Sequence, residues 1–183
     1  MCAPLSDGSA AAIVCTEQGL QRLGLDRRRC IRIAASVIRS FTHRSLDEPE
    51  RNIGRLAALQ AYELAGLGPH EMDVAEVHDA SAMGEIIQAE NLGFVPLGQA
   101  GPAAERGEFS LGGRIPINPS GGLESKGHPL GATGIAQLYE LVTQLRGEAG
   151  ARQVEGARHA IQENGGGMLG IEEAAVAIHI LSR

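Results

Sequence analysis

The sequence has no tryptophan and only two tyrosines and three phenylalanines among 183 residues. The flat aromatic platforms on which single-stranded bases stack are therefore scarce. No apolar stretch approaches the ~18 residues needed to span a bilayer, and no basic region followed by an apolar run marks a secretory signal at the N-terminus. The 16 lysines and arginines form no long run, and the formal net charge is −6. Neither nucleic acid nor an anionic membrane is an expected partner for such a surface. Cysteine is also sparse: Cys2, Cys15 and Cys30, with no CxxC spacing. An odd set so spaced argues against a disulfide framework and a zinc site, and fits a reducing, cytoplasmic setting.

Glycine is abundant instead, at 25 residues, roughly double average usage. Most lie between Gly93 and Gly170, which points to special backbone geometry in the second half rather than a flexible linker. The length suits one domain with a buried core. The chain opens abruptly: Ser6-Asp7-Gly8 leads at once into the apolar run Ala10 to Val14, like a domain entered in mid-course. Ala10 to Cys15 reads as a buried strand, and Thr16 as the cap of a short helix stopped by Gly24. On that reading Cys15 and Cys30 are small buried hydrophobes. Strands are expected over 31–38, 73–77 and 174–181, with a short one over 115–118. Helices are expected over 52–65, 82–91 and 130–146, the first with Ile53, Leu56, Ala57, Leu59 and Leu64 on its apolar stripe, the last with Ile135, Leu138, Val142 and Leu145. Alternating strands and helices predict an α/β layered domain.

Three segments could carry chemistry. Asn118-Pro-Ser-Gly-Gly-Leu-Glu-Ser-Lys-Gly-His128-Pro-Leu-Gly-Ala-Thr-Gly134 is a glycine-rich turn that ends in a histidine and a proline. Proline suits a first helical position, which would place His128 just before a helix N-terminus, where the dipole disfavours its charged form. A neutral imidazole can take a proton from a thiol or support an oxyanion; a strand-to-helix connection with a capping histidine is the plainer alternative. His78-Asp79-Ala80-Ser81-Ala82-Met83-Gly84-Glu85 follows a strand, where sites in α/β sheets gather; its plainer reading is an Asp cap beside a solvated histidine. Glu163-Asn164-Gly165-Gly166-Gly167 can free backbone N–H groups for an oxyanion, or simply connect two strands. The G-x-G-x-x-G spacing at Gly165, Gly167 and Gly170 leaves no room for a dinucleotide-binding unit, and Lys126 precedes Gly127 rather than completing a phosphate loop. A metal site from His78, Asp79, Glu85 and His128 lacks the i, i+4 histidine pair that would commend it.

The run NPSGGLESKGHPLGATG resembles the histidine motif of the thiolase superfamily, on its sterol-carrier-protein-like branch. The start, Pro4-Leu-Ser-Asp-Gly-Ser-Ala-Ala-Ala12, resembles the opening of that family's C-terminal half, so the likeness spans nearly the whole chain, residues 1–183. It implies a layered α/β domain with a mixed five-stranded sheet and helices on both faces. It implies that His128 polarises a thioester carbonyl and activates a cysteine, that His78 holds the oxyanion water, and that the Gly165 amide belongs to a second oxyanion hole. Asp79, Glu85 and Asn118 take supporting positions. The family's two alternative acid/base cysteines are replaced by Glu163 and Ala80, and a partly buried Glu163 could serve as base.

The nucleophile of such enzymes lies in an N-terminal half that is not in this sequence. The resemblance thus implies half of an acyltransferase for C–C bond chemistry on acyl-CoA. Coenzyme A thioester would be its substrate, with no cofactor, and it would need a cysteine-bearing N-terminal half in cis or in trans. The alternatives are a non-catalytic assembly subunit, a thiolase-like retro-aldolase component and, more remotely, a metal-dependent hydrolase. A lone half should also bury its exposed apolar face in a homo- or hetero-oligomer.

Overall fold

A computed structural model describes residues 1–183. Four strands, β1 (Arg32–Ser40), β2 (Val74–Glu76), β3 (His159–Gly166) and β4 (Ala175–Ser182), form one sheet in the order β1-β4-β3-β2. The sheet is mixed: β1–β4 and β3–β4 are antiparallel and β2–β3 is parallel. The helices are α1 (Glu17–Leu23), α2 (Ile53–Ala65), α3 (Ala82–Asn91), α4 (Ala100–Glu105), α5 (Gly122–Lys126) and α6 (Thr133–Arg146).

Four strands replace the five that the resemblance implied: the runs 10–15 and 115–118 form none, and β3 takes in Glu163 to Gly166, which were read as part of a connection. The run 10–15 is extended but belongs to no strand, and Ile13 and Val14 are 92% and 74% exposed. Hydrophobicity marked the run for burial, but no element of this chain covers it. Cys15 is exposed and Cys30 half-buried, so neither is a core residue. The segment around Ile117 makes one isolated bridge, to Ala75, rather than a strand.

Period-two burial along the strands builds two cores on opposite faces of the sheet. Ala35, Val37, Ile161, Val176, Ile178 and Ile180 face α2, α3 and α4. Val74, Ala160 and Leu181 face α6 through Leu141 and Leu145. Helix α2 starts where the Asn52 side chain accepts from the Gly54 N–H, and stops at Gly66 in the left-handed conformation. It buries Ile53, Ala57, Ala58, Ala61 and Tyr62, while Leu59 and Leu64 of the expected stripe point outward. The small residues let the helix lie close to the sheet, which decides the buried face over raw hydrophobicity. The same holds for α6, whose most buried face includes Gln137, Glu140 and Gln144. Its glutamines bond the neighbouring strand and loop: Gln137 donates to the Glu163 carbonyl, and Gln144 accepts from the Val154 N–H.

Helix α6 covers only part of its face. Ser36 lies opposite His179 and Ile38 opposite Ala177, and opposed residues project to one side. Ser36 and Ile38 are exposed and Ala177 and His179 half-buried. On the other side the fully buried Glu172 joins three segments. Its carboxylate accepts from Thr42 N–H and Oγ1–H, Ile53 N–H and Arg44 Nε. Burial alone would raise its pKa; these bonds outweigh it and hold the carboxyl below its ordinary range. No helix is long and apolar enough to cross a membrane.

Candidate functional site

The two histidines singled out in the sequence meet beyond the end of β2. Their Nε2 atoms are 3.3 Å apart, and the rings contact edge to face with centroids 4.9 Å apart. His78 follows β2, and His128 follows α5 at the close of the glycine-rich segment.

The helix after His128 begins later than expected, at Thr133 rather than near Leu130. Residues 129–132 form a turn, closed by the Ala132 N–H donating to the Pro129 carbonyl. His128 is therefore not at a helix N-terminus, and the dipole argument does not apply to it. Its ring is oriented by Thr133 instead: Nδ1 lies 2.7 Å from Thr133 Oγ1, whose hydroxyl reaches the Pro129 carbonyl at 3.2 Å. With that hydroxyl donating to the carbonyl, Nδ1 of His128 is the donor and Nε2 carries the lone pair. The facing Nε2 of His78 then supplies the proton between them. Burial, and secondarily His128, pull the His78 pKa down to about 4, so its ring is neutral at pH 7.

Asn118, Asp79 and Glu85 hold the loops. Asn118 sits at φ +50°, a conformation that non-glycine residues seldom adopt. Its Oδ1 accepts from the Val77 N–H at 2.8 Å and its Nδ2 donates to Glu85. Asp79 is a cap, as its plainer reading held, but of α5: it accepts from the N–H groups of Leu123 and Glu124. Ser81 caps α3 through Gly84. Burial raises the pKa of both Asp79 and Glu85. No group of three or more His, Cys, Asp or Glu could hold a metal ion.

Glu163 lies behind His78 rather than in front of it. One oxygen accepts the His78 backbone N–H at 2.9 Å; the other is buried with no partner. Burial pushes this carboxyl up to about 8, so it is neutral at pH 7. Its exposure is 0%, on the face of the sheet that α2, α3 and α4 cover. Gly165 follows on the same side of β3. It does not have positive φ; only Gly167 of the three glycines does. A Cβ at Gly165 would meet Glu173 Cγ at 2.7 Å and His78 Nδ1 at 3.3 Å, so close approach is what requires glycine there.

The sequence reading missed several contributors. Thr133 stood inside the motif, and a hydroxyl five residues after a histidine was the available signal. Glu76 is fully buried and accepts from Ser120 N–H and Oγ–H, with Lys126 Nζ 3.7 Å away. Burial moves it to about 7. It ties the glycine-rich segment to β2, and nothing in its local sequence marks it.

The family described as thiolase C-terminal domain-like matches residues 38–183. Rat (Rattus norvegicus) sterol carrier protein 2 is 46% identical over 180 residues, covering 96% of this chain and 32% of the rat protein. The acetyl-CoA acetyltransferase of Methanothermobacter thermautotrophicus is 43% identical over 185 residues, covering all of this chain and 46% of that enzyme. The benzoylsuccinyl-CoA thiolase subunit BbsB of Thauera aromatica is 36% identical over 156 residues, 84% of this chain and 40% of the subunit. This chain thus spans less than half the length of these curated relatives. Among solved structures, a chain of an Ltp2-ChsH2(DUF35) aldolase superposes with a TM-score of 0.68 at 24% identity, covering 83% of this chain and 39% of the other.

Proposed function

Because this chain belongs to the thiolase C-terminal domain-like family, we propose that it is the histidine-bearing half of an acyl-CoA acyltransferase that forms or breaks C–C bonds on a coenzyme A thioester. The observation that carries this reading is the facing pair of Nε2 atoms on His78 and His128, 3.3 Å apart. The nucleophile would come from a cysteine-bearing N-terminal half, in cis or in trans.

The chemistry follows from the hydrogen bonds. His128, with Nδ1–H committed to Thr133, keeps the Nε2 lone pair, which a bound thiol would take over from the His78 Nε2–H. The thiol proton moves to Nε2, and the thiolate attacks the thioester carbonyl carbon. Charge then develops on the carbonyl oxygen, where the Nε2–H groups of His128 and His78 are placed to donate. When the intermediate collapses, the leaving coenzyme A sulfur takes the proton back. His78 is suited to the donor role because it stays uncharged. Glu163, with its carboxyl against the His78 backbone, supports that histidine from behind. Gly165 brings its backbone close to the same ring. Asp79, Glu85 and Asn118 keep the two loops in register.

The need for a second half is supported by the surface. Part of the α6 face of the sheet is open at Ser36 and Ile38, and Ile13 and Val14 are uncovered. A thiolase-like retro-aldolase is the second reading. Ala80 and Glu163 stand where the family's acid/base cysteines would be, and a retro-aldol cleavage makes different demands on that group.

Mixing the purified chain with a cysteine-bearing N-terminal half and following acyl-CoA cleavage tests the proposal. Activity in the mixture alone, lost in His128→Ala, is the expected result. Undiminished activity without His128 would end the enzyme reading and leave an assembly subunit.

A further inference from the structure

The two histidines stand on separate loops. The His128 loop is closed behind the ring by the turn over 129–132, while ahead of it the chain bends at Gly127, with φ +85°. The backbone at that bend is held by a segment from elsewhere in the chain. Residues 1–6 touch both loops. The Ala3 N–H donates to the Ala80 carbonyl at 3.0 Å, and the Ala82 N–H donates to the Met1 carbonyl at 3.3 Å. The next residue, Pro4, accepts the backbone N–H of His128 itself at 2.9 Å. Cys2 bridges Ser81 in antiparallel sense, and Leu5 bridges His128 in parallel sense. The packing is close as well. A Cβ on Gly127 would lie 2.9 Å from Ser6 Cβ, and one on Gly8 would lie 2.9 Å from Pro129 Cγ.

We propose that residues 1–6 are a positioning strap that sets the distance between the two imidazoles. Ala3 and Pro4 are adjacent, with Cα atoms about 3.8 Å apart across a trans peptide. One reaches the loop two residues after His78; the other reaches the amide of His128. A two-residue span of fixed length therefore joins the backbones that carry the rings. The strap touches no reacting atom. Without it the His128 amide loses its partner, and Gly127 is free to turn. The inference rests on the proposed function for its consequence in catalysis, but not for its geometry.

Ala3→Pro in the full chain tests it. The substitution deletes the one N–H that reaches Ala80. It retains an extended backbone, which a residue before proline already favours. Ala3→Ser keeps the N–H and is the conservative comparison. Long-range 1H–15N spectra of the imidazoles report tautomer and environment at each ring. Ala3→Pro should displace the ring signals of both His78 and His128, and Ala3→Ser should restore them. In the mixture with the cysteine-bearing half, kcat should fall about tenfold or more with KM within twofold.

Ring signals left in place by Ala3→Pro would overturn the strap. Should Ala3→Pro fail to fold, Ser6→Val, which crowds Gly127 without removing a hydrogen bond, should displace the His128 signals; unchanged signals there overturn the proposal independently. Displaced rings in a chain whose unaltered form is inactive in every mixture would count against the enzyme reading and in favour of the strap.

Discussion

Asp79 and Gly122 are packed so closely that only glycine fits at position 122. A Cβ there would lie 2.7 Å from Asp79 Cγ and nearer still to one carboxylate oxygen, and the backbone has φ +63°. The carboxylate occupies that space because it accepts the Leu123 N–H at 2.7 Å. Gly122→Ala combines left-handed strain with displacement of a capping carboxylate. It should cost roughly 2–4 kcal/mol, read as a lower urea midpoint with unchanged slope. A wild-type midpoint would refute this account of α5.

Thr133 fixes the tautomer of His128, so its hydroxyl matters beyond packing. Thr133→Val keeps the β-branched shape and removes the acceptor 2.7 Å from Nδ1. Thioester cleavage in the assembled enzyme should drop about tenfold or more, while the unfolding midpoint moves by about 1 kcal/mol or less. Thr133→Ser, which restores the hydroxyl, should recover most of the rate.

The His78 ring should resist protonation. Its pKa is drawn down to about 4 by burial and by His128. The folded chain then binds fewer protons at this residue than the unfolded chain between pH 6.5 and 4. This contribution to stability is therefore complete above 6.5 and is lost as pH falls toward 4. NMR titration should show one histidine still neutral at pH 5, and His78→Asn should flatten the acid limb of the stability curve. A midpoint near 6.5 for His78 would contradict the burial of its ring.

Glu163 works in the opposite direction. Its folded pKa, raised by burial to about 8, lies above the ordinary carboxylate value. The folded state holds a proton that the unfolded state has lost, so stability declines as pH rises from about 4.5 through 8. Glu163→Gln retains an oxygen for the His78 N–H and has nothing to ionise. The slopes from His78 and Glu76 are common to both proteins, so the stability of the variant relative to the unaltered chain should rise steadily across that window. Parallel curves for the two proteins would show that Glu163 ionises normally.

The sequence exposed the parts of this molecule that depend on local pattern. Thr16 and Gly24 bound α1 as their chemistry suggests, Asn52 and Gly66 bound α2, and the even apolar run at the C-terminus is β4. The histidine-bearing segments were visible because glycine, proline and histidine cluster there. What was hidden depends on distance in sequence. The strand expected over 10–15 failed because apolarity cannot say which polypeptide will cover a run. The start of α6 failed because Pro129 begins a turn that the next three residues do not continue as helix. The strap, Glu76 and the close approach at Gly165 arise from pairings across dozens of residues. Such pairings leave no local mark.

The bare stretch from Ala10 to Val14 joins the strap to the body of the protein. It has the features that endopeptidases favour: extended backbone, protruding aliphatic side chains, and no partner on either edge. A single cut there would sever the strap covalently. Residues 1–9 would then be held to the rest of this domain only through Ala80, Ala82, His128 and the neighbouring glycine contacts. Brief digestion would thus leave those contacts alone to hold the strap, so that its grip on the two rings could be weighed without the covalent link.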